Sequence, residues 1–148
     1  MPDEAAEPLK LIALDADDLA VVSAHLQDAV LKPADIAWLP AEKRFALAVR
    51  RFDWEGALHG ERRRRLTALH FDRVLSVGSM QFDRGAVDKV LNLLAITFAQ
   101  GEEPAGHVTL HFSEGAAIRL AVECVEAQMK DLGPMWEAAA MPGHPEVG

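Results

Sequence analysis

Apolar residues recur at every second position through much of the chain after residue 35. The alternation is found in "FALAVRRF" at 45–52, "LTALHF" at 66–71, "HVTLHF" at 107–112 and "AIRLAV" at 117–122. A period of two is typical of β-strands that bury one face. A Ser-Glu-Gly turn separates the last two stretches. The pattern therefore predicts hairpins of antiparallel sheet.

The chain before residue 35 follows a helical period instead. Its apolar residues lie three or four positions apart: Leu19, Val22, Leu26, Ala29 and Val30. This spacing predicts an amphipathic helix over 16–31, capped by Asp15 or Asp17 and ended by Lys32 and Pro33. A short strand at 9–14 precedes it. The segment 83–94 fits either a shorter helix near 84–91 or the lead-in to a buried strand at 90–99.

These elements predict an α+β fold, a mostly antiparallel β-sheet packed with one helix in the N-terminal half. Two pairs of similar segments, 9–14 with 91–96 and 45–52 with 118–125, are consistent with two related β half-units. Half-sheets of this size cannot bury their apolar faces separately, so one core is expected. We expect a single globular domain over 9–132, with loosely ordered tails at 1–8 and 133–148.

The predicted core follows from the same two periods. Cys124 continues the alternation of Ile118, Leu120 and Val122, and is expected inside as a small hydrophobe. The strand would continue through "EAQMKDL" after a bulge near Cys124, unless that segment is helical. The remaining predicted core residues are Leu11, Ile12, Leu14, Leu19, Val22, Leu26, Ile36, Trp38, Phe45, Leu47, Val49, Leu69, Phe71, Leu93, Ile96, Phe98, Leu110 and Phe112.

Charge is distributed unevenly along the 148 residues. The formal net charge is -8, yet residues 43–84 hold ten Lys and Arg against five Asp and Glu. The overall acidity disfavours non-specific nucleic-acid binding, which needs an extended basic surface. Cys124 is the only cysteine, and no window approaches the roughly 20 apolar residues of a membrane span. We expect a cytoplasmic protein without membrane contact.

Four consecutive arginines at 62–65 form the most conspicuous motif. On a strand they alternate between faces, so Arg62 shares a side with Arg64, and Arg63 with Arg65. The favoured interpretation is a solvated margin of the sheet that discourages edge-to-edge aggregation. The alternative is a site for a small anion or metabolite, built from Arg50, Arg62, Arg64 and His70.

No stretch of the sequence carries a catalytic, metal or cofactor signature. His107 and His111 are four residues apart on a predicted strand, about 13 Å, which is too far for one metal ion. Neither a Gly-x-Ser-x-Gly elbow nor a glycine-rich phosphate loop occurs. We therefore expect no catalytic residues, no metal and no cofactor, and a protein that is not an enzyme.

Three segments carry a resemblance to a known family. They are "LKLIALDADDLAVVSAHLQDAVLKPADIAWLPAEKRFALAVRRFDWE", "LTALHFDRVLSV" and "VTLHFSEGAAIRLAVECVEAQMKDLGPMWE", which lie within residues 9–137. Together they resemble an uncharacterised family of small proteobacterial cytoplasmic proteins, a domain of unknown function. The resemblance implies a single cytoplasmic domain and supplies no catalytic residues.

The leading functional hypothesis is a non-catalytic protein-interaction or structural module. It would bind a protein partner or a second copy of itself through a sheet edge or an exposed aromatic such as Trp54 or Trp136. A homodimer would suit a half-exposed antiparallel sheet, because isologous pairing covers an edge. The anion or metabolite site is the alternative, and nucleic acid is the least favoured ligand.

Overall fold

The computed structural model describes residues 8–58, 60, 63–83 and 85–137, with the backbone alone for 55, 56 and 133–137. Within these residues, ten strands form an antiparallel sheet and a helix packs on it, which confirms the predicted α+β class. The α-helices are α1 (Ala16–His25) and the four-residue α2 (Trp54–Ala57), and short 3₁₀ helices lie at Pro33–Asp35, Pro40–Glu42 and Ser113–Gly115. The strands are β1 (Lys10–Ala13), β2 (Ala29–Leu31), β3 (Ile36–Leu39), β4 (Arg44–Phe52), β5 (Arg63–Phe71), β6 (Val74–Met80), β7 (Leu91–Gln100), β8 (Gly106–Phe112), β9 (Ala117–Val122) and β10 (Ala127–Glu137).

The sheet consists of two halves joined through β2. Its order is β1-β10-β5-β4-β2-β7-β8-β9-β6, and β3 pairs with β4 on the same side as β2. Strand β10 lies in the first half beside β5, whereas β6 lies in the second half beside β9. In both β3–β6 and β7–β10, the first three strands pair in sequence order and the fourth joins the other half of the sheet. The topology thus relates these two sets of strands, whereas the sequence similarity had paired β1 with β7 and β4 with β9. The duplication itself stays a prediction.

Helix α1 is set by its cap and by its buried face. The backbone N–H of Asp18 donates to the Asp15 side chain at 2.8 Å, which confirms Asp15 as the N-cap. Leu19 and Val22 are buried, and the helix packs on β7 and β1. The Ser23 hydroxyl accepts a hydrogen bond from the Ile96 N–H at 2.9 Å, just past a register shift in β7.

The predicted extent of the helix, 16–31, is wrong at its C-terminal end. Helix α1 ends at His25, Asp28 has a positive φ of 64°, and residues 29–31 form β2. Ala29 and Val30 fit a helical period, but their pairing with Leu93 and Asn92 of β7 decides their conformation. The segment 83–94 is the lead-in to a strand: its described residues before Leu91 form turns, not the alternative helix.

The hydrophobic core lies between the inner faces of the two halves and α1. Most of the predicted core residues are buried there, among them Phe45, Leu69 and Leu120. Leu11, Ile36, Trp38 and Phe98 are partly buried and pack against it. The predicted burial of Ile12 and Leu14 is wrong, because they are 57% and 65% exposed. On β1 the alternation directs Leu11 and Ala13 inward and Ile12 outward.

The chain after β9 differs from the predicted bulged continuation. Strand β9 ends at Val122, residues 123–126 form a turn, and β10 crosses to pair with β1 and β5. Cys124 lies in that turn and is half-buried, so its predicted place in the core is wrong. The alternation that had included Cys124 stops two residues earlier, where the chain leaves β8 and β9.

Candidate functional site

The arginine run lies inside the sheet. Strand β5 pairs with β4 on one side and β10 on the other, so it is not an edge. Arg63 and Arg65 are two residues apart on β5 and therefore belong to the same face of the strand, as predicted. Arg65 is only 1% exposed and lies beside Thr67 on the inner face. The interpretation of the run as a solvated margin is therefore wrong for Arg65. Arg62 lies outside the described residues.

Arg65 belongs to a buried ionic cluster around Asp131. The Arg51 guanidinium donates to both carboxylate oxygens of Asp131, Nε to Oδ1 at 2.9 Å and Nη2 to Oδ2 at 2.8 Å. The Thr67 hydroxyl donates to Oδ1 at 2.7 Å, and the Leu9 N–H donates to Oδ2 at 2.8 Å. Arg65 Nε lies 3.8 Å from Oδ2. The cluster ties β4, β5, β10 and the segment before β1 together.

The electrostatics of this cluster indicate a structural role. Burial raises the pKa of Asp131, but the hydrogen bonds from Arg51, Leu9 and Thr67 outweigh it and hold the pKa below its ordinary value. A carboxylate has about four acceptor sites, and four donors occupy them here. Asp131 is 4% exposed. No acceptor site remains with which it could bind a ligand.

The structure brings together only part of the predicted anion site. Arg50 is exposed on the outer face, and Arg64 Nη1 donates to the Arg50 carbonyl at 3.0 Å. The Arg64 guanidinium lies 5.9 Å from the ring centre of Phe52, and burial lowers its pKa. His70 is six residues further along β5, about 20 Å away, with Nδ1 3.4 Å from Asp72 Oδ2. A role for these residues in anion binding stays a prediction.

An apolar groove opens between β3 and β6. Ile36 and Trp38 of β3 face Val77 and Ser79 of β6 across a cavity of about 180 Å³. Phe82 also lines it and packs against Phe112, with 5.9 Å between ring centres. The remaining lining residues are Pro33, Phe45 and Ile118, so no charged side chain lines the groove. Helix α1 packs across β7 and β1, whereas Pro33 of the short 3₁₀ helix Pro33–Asp35 belongs to the groove lining.

The groove continues into a second cavity of about 130 Å³ that shares Pro33 and Phe82 with it. Leu91, Ser113 and Ala116 extend the lining, and Asp83, Lys89 and Glu114 also belong to it. Lys89 and Glu114 form an ion pair at 2.8 Å. Charged residues therefore line the far end, whereas the part beside β6 is apolar.

Strand β6 forms one border of this groove and is the terminal strand of the sheet. Among the described residues it pairs only with β9, so its other edge carries no paired strand. Its sequence, VLSVGSM, has no charge and no proline, and only Val74 is buried. Leu75 and Met80 are 53% and 64% exposed. Charge and proline, two of the usual devices that protect an edge, are missing from this strand. A register shift between Val74 and Ser76 and the hydrogen bond from the Val74 N–H to the Lys43 carbonyl at 2.9 Å are confined to its first residues.

Two of the aromatic and histidine candidates, Trp54 and His111, make polar contacts within the fold. The Trp54 indole N–H donates to the Gln27 carbonyl at 3.2 Å, and its ring meets Phe52 edge-on at 4.8 Å. The Trp136 side chain lies outside the described residues. His107 and His111 both lie on β8, and His111 Nε2 is 2.9 Å from the Thr97 hydroxyl.

In the part of the chain that the structure describes, neither the cysteine nor the acidic residues are grouped with other reactive side chains as a metal site would require. Cys124 borders a shallow cavity of about 310 Å³ together with Asp15, Asp17 and Glu103. Among the described residues, no three His, Cys, Asp or Glu side chains are grouped as metal ligands would be. No helix in the same part of the chain is long and apolar enough to cross a membrane.

Comparison with known proteins identifies the family and no activity. Residues 9–144 match the family described as "Protein of unknown function (DUF2948)". The chain belongs to this family. No curated protein and no solved structure matches the chain. Because the DUF2948 description assigns no chemistry, the function has to be argued from the surfaces of this fold.

Sequence reasoning missed β6 as a site, although a signal was present. The stretch "VLSVGSMQ" at 74–81 carries no charge and lies between two copies of "FDR", at 71–73 and 82–84. An uncharged run of this length, bounded by charged residues, is typical of a strand that a neighbour covers. Its place at the end of the sheet depends on the crossing of the chain from β5 to β9, which local periodicity does not encode.

Proposed function

We propose that this protein is a non-catalytic interaction module that binds an extended segment of a partner protein along β6. The observation that carries the proposal is the uncharged edge of β6, which past Val74 pairs with no described strand other than β9 and lies beside an apolar groove. An edge strand presents unpaired backbone N–H and C=O groups, which a partner strand satisfies by β-augmentation. We include a cytoplasmic location in the proposal.

The geometry of the groove fits alternate side chains of an added strand. A strand added to β6 would lie about 4.8 Å from it, and its alternate residues would face the groove about 6.8 Å apart. Trp38 and Ile36 lie on the opposite wall, so apolar side chains of the partner would contact both β3 and β6. Main-chain hydrogen bonds would supply affinity, and the groove would select the side chains.

The size and charge of the groove favour side chains over a metabolite. Its volume of about 180 Å³ is below the roughly 300–1,000 Å³ of typical small-molecule pockets. The wall beside β6 holds no cation that would bind an anion. We therefore expect a partner segment that is extended and apolar, with no charge at the positions that face Trp38 and Val77.

Gly78 provides a matched pair of variants for testing the proposal. A Cβ built at this exposed position meets no atom within 4 Å, so a side chain is accommodated. Gly78→Lys places a charge on the edge, whereas Gly78→Thr adds a residue that strands favour and no charge. Trp38→Ala removes the opposite wall of the groove.

The assay is selection from a displayed library of random peptides, followed by calorimetry and hydrogen exchange of the complex. We expect apolar peptides that protect the amides of 74–80, bind Gly78→Thr within about twofold of the unmodified protein, and bind Gly78→Lys at least tenfold more weakly. Equal binding to Gly78→Lys, or protection confined to other strands, contradicts the proposal. A dimer that dissociates in Gly78→Lys identifies a second copy as the occupant instead.

A further inference from the structure

A second surface lies on the outer face of β1, β10, β5 and β4, away from the β6 groove. The outer face is defined by thirteen outward positions: Lys10, Ile12, Gln128, Lys130, Leu132, Arg64, Leu66, Ala68, His70, Arg44, Ala46, Ala48 and Arg50. None of these residues is buried, and none is acidic. In a chain of net charge -8, the outer face concentrates positive charge.

Several cations on this face have no carboxylate partner among the described residues. Lys10, Lys130 and Arg50 form no ion pair there, and Arg64 bonds only to backbone carbonyls. Several basic residues elsewhere are neutralised, as in the pairs Lys43–Glu123 at 3.0 Å and Lys89–Glu114 at 2.8 Å. Three carboxylates lie at the border: Asp72 is bound by Arg44 at 2.8 Å, Glu42 is also near Arg44, and Asp28 is near Arg64. Within the described residues, the cations of the outer face without such a neighbour are Lys10, Lys130 and Arg50.

The register opposes two of these cations directly. Lys10 and Lys130 are Cα partners on neighbouring strands, so their side chains leave the same face side by side. Like charges in directly opposite positions destabilise a strand pair. A pairing that opposes local stability is typical of functional sites, where a ligand supplies the missing opposite charge.

The centre of the outer face is flat and apolar. Ala48 and Ala68 are Cα partners, and Ala46 lies two residues along the same strand. Ile12 and Leu132 are 57% and 54% exposed at the side of this alanine patch. An apolar centre with charge around it resembles a protein interface. A nucleic acid, whose phosphates bind cations, would gain nothing from the apolar area.

We propose that the outer face binds an acidic amphipathic helix of a partner protein. Lys130 is two strands across and two residues along from Arg50, about 12 Å between Cα atoms. Carboxylates two turns apart on one helix face are about 11 Å apart, which matches this spacing. Leucines between them would contact the alanine patch, because helices cover the apolar faces of sheets. This surface is independent of β6, which ends the opposite half of the sheet.

The test uses a fluorescein-labelled helical peptide of 18 residues, with a leucine stripe flanked by glutamates two turns apart. A second peptide carries glutamine at every glutamate position, and a labelled DNA oligonucleotide serves as a competing polyanion. Binding is followed by fluorescence anisotropy at 50 and 300 mM salt. We expect the glutamate peptide to bind at least tenfold more tightly than the glutamine peptide and to weaken with salt.

The variants separate this face from the general charge of the protein. Lys10→Glu with Lys130→Glu, and Arg50→Glu alone, should each weaken glutamate-peptide binding at least tenfold. Arg119→Glu changes an exposed, likewise unpaired cation of β9 and should leave binding within twofold, as should Gly78→Lys. Equal binding of the two peptides, an equal loss in Arg119→Glu, or no binding at 1 mM peptide overturns the proposal. Tighter binding of the oligonucleotide also overturns it, in favour of nucleic acid.

Discussion

Asp131→Asn is the substitution that most directly tests how the first half of the sheet is held together. Asparagine keeps the size of the side chain and one acceptor oxygen, but it removes the negative charge that faces Arg51 and Arg65. The carboxylate accepts two hydrogen bonds from Arg51 and one each from Thr67 and Leu9, and it is 4% exposed. The variant leaves the Arg51 guanidinium buried without its counter-ion.

The expected magnitude follows from the burial of the pair. Removing one partner of a buried ion pair costs about 3–5 kcal/mol of unfolding free energy. With a urea m-value of about 2 kcal/mol/M, the unfolding midpoint should fall by roughly 1.5–2.5 M. Equilibrium urea unfolding followed by tryptophan fluorescence measures this shift. Because domains of this size are stable by about 5–15 kcal/mol, the effect is a large fraction of the total.

A surface carboxylate provides the control for Asp131→Asn. Glu123 pairs with Lys43 at 3.0 Å in solvent, so Glu123→Gln should leave the midpoint unchanged. A double-mutant cycle combines Asp131→Asn with Arg51→Met. The sum of the losses of unfolding free energy in the two single variants should exceed the loss in the double variant by about 1–3 kcal/mol. Two results would refute the structural role of the Asp131 cluster. One is a loss of unfolding free energy below about 1 kcal/mol in Asp131→Asn, and the other is strict additivity of the two substitutions in the cycle.

Three further predictions concern pH, one glycine and the helix cap. The pKa of Asp131 is lower in the folded protein than its ordinary value. The stabilisation by the Asp131 carboxylate is therefore complete at pH values above the ordinary pKa and is lost as pH falls through the folded-state pKa. Below about pH 4, the urea midpoint should fall less steeply with pH in Asp131→Asn than in the unmodified protein. Gly106→Ala should lower the melting temperature, because the added Cβ would meet the Phe98 ring and the Ala99 carbonyl, whereas Gly78→Ala should not. Asp15→Ala should cost about 1 kcal/mol through the lost cap on the Asp18 N–H, as measured by urea unfolding, and Asp17→Ala should cost less.

Periodicity predicted the strands that bury one complete face. In β5, Thr67, Leu69 and Phe71 point inward as the alternation required, and β8 and β9 follow the same rule. The period failed where distant pairing decides the conformation. Ala29 and Val30 satisfy a helical pattern, yet β7 draws them into the sheet. Tertiary contacts of this kind override local preference, and they are not written in the segment itself.

Burial of charge was the other property that local reasoning could not give. Arg65 continues the inward alternation of Thr67 and Leu69, but arginine is rarely fully buried, and the motif was interpreted as solvated. Arg65 is buried with Nε 3.8 Å from Asp131, a residue of the sequence-distant strand β10. Asp131 in turn follows Ala127 and Met129 on the inner face of β10. The sequence signal was one charged residue at an inward position on each of three strands: Arg51 on β4, Arg65 on β5 and Asp131 on β10. This signal can be recognised only once the pairing of the three strands is known.

The buried cluster also positions the proposed basic surface. Asp131 Oδ2 accepts from the Leu9 N–H, and the Asp131 N–H donates to the Leu9 carbonyl at 2.9 Å, so residue 9 is fixed beside β10. Lys10 follows immediately and is thereby held opposite Lys130. At a temperature where Asp131→Asn remains folded, it should therefore weaken binding of the acidic helical peptide, although Asp131 itself is inaccessible. Apolar peptides at β6 should keep their affinity, because that strand pairs with β9 in the other half of the sheet. Loss of both kinds of binding would show that the variant damages the whole fold, and retention of both would show that the cluster does not set the register of β1.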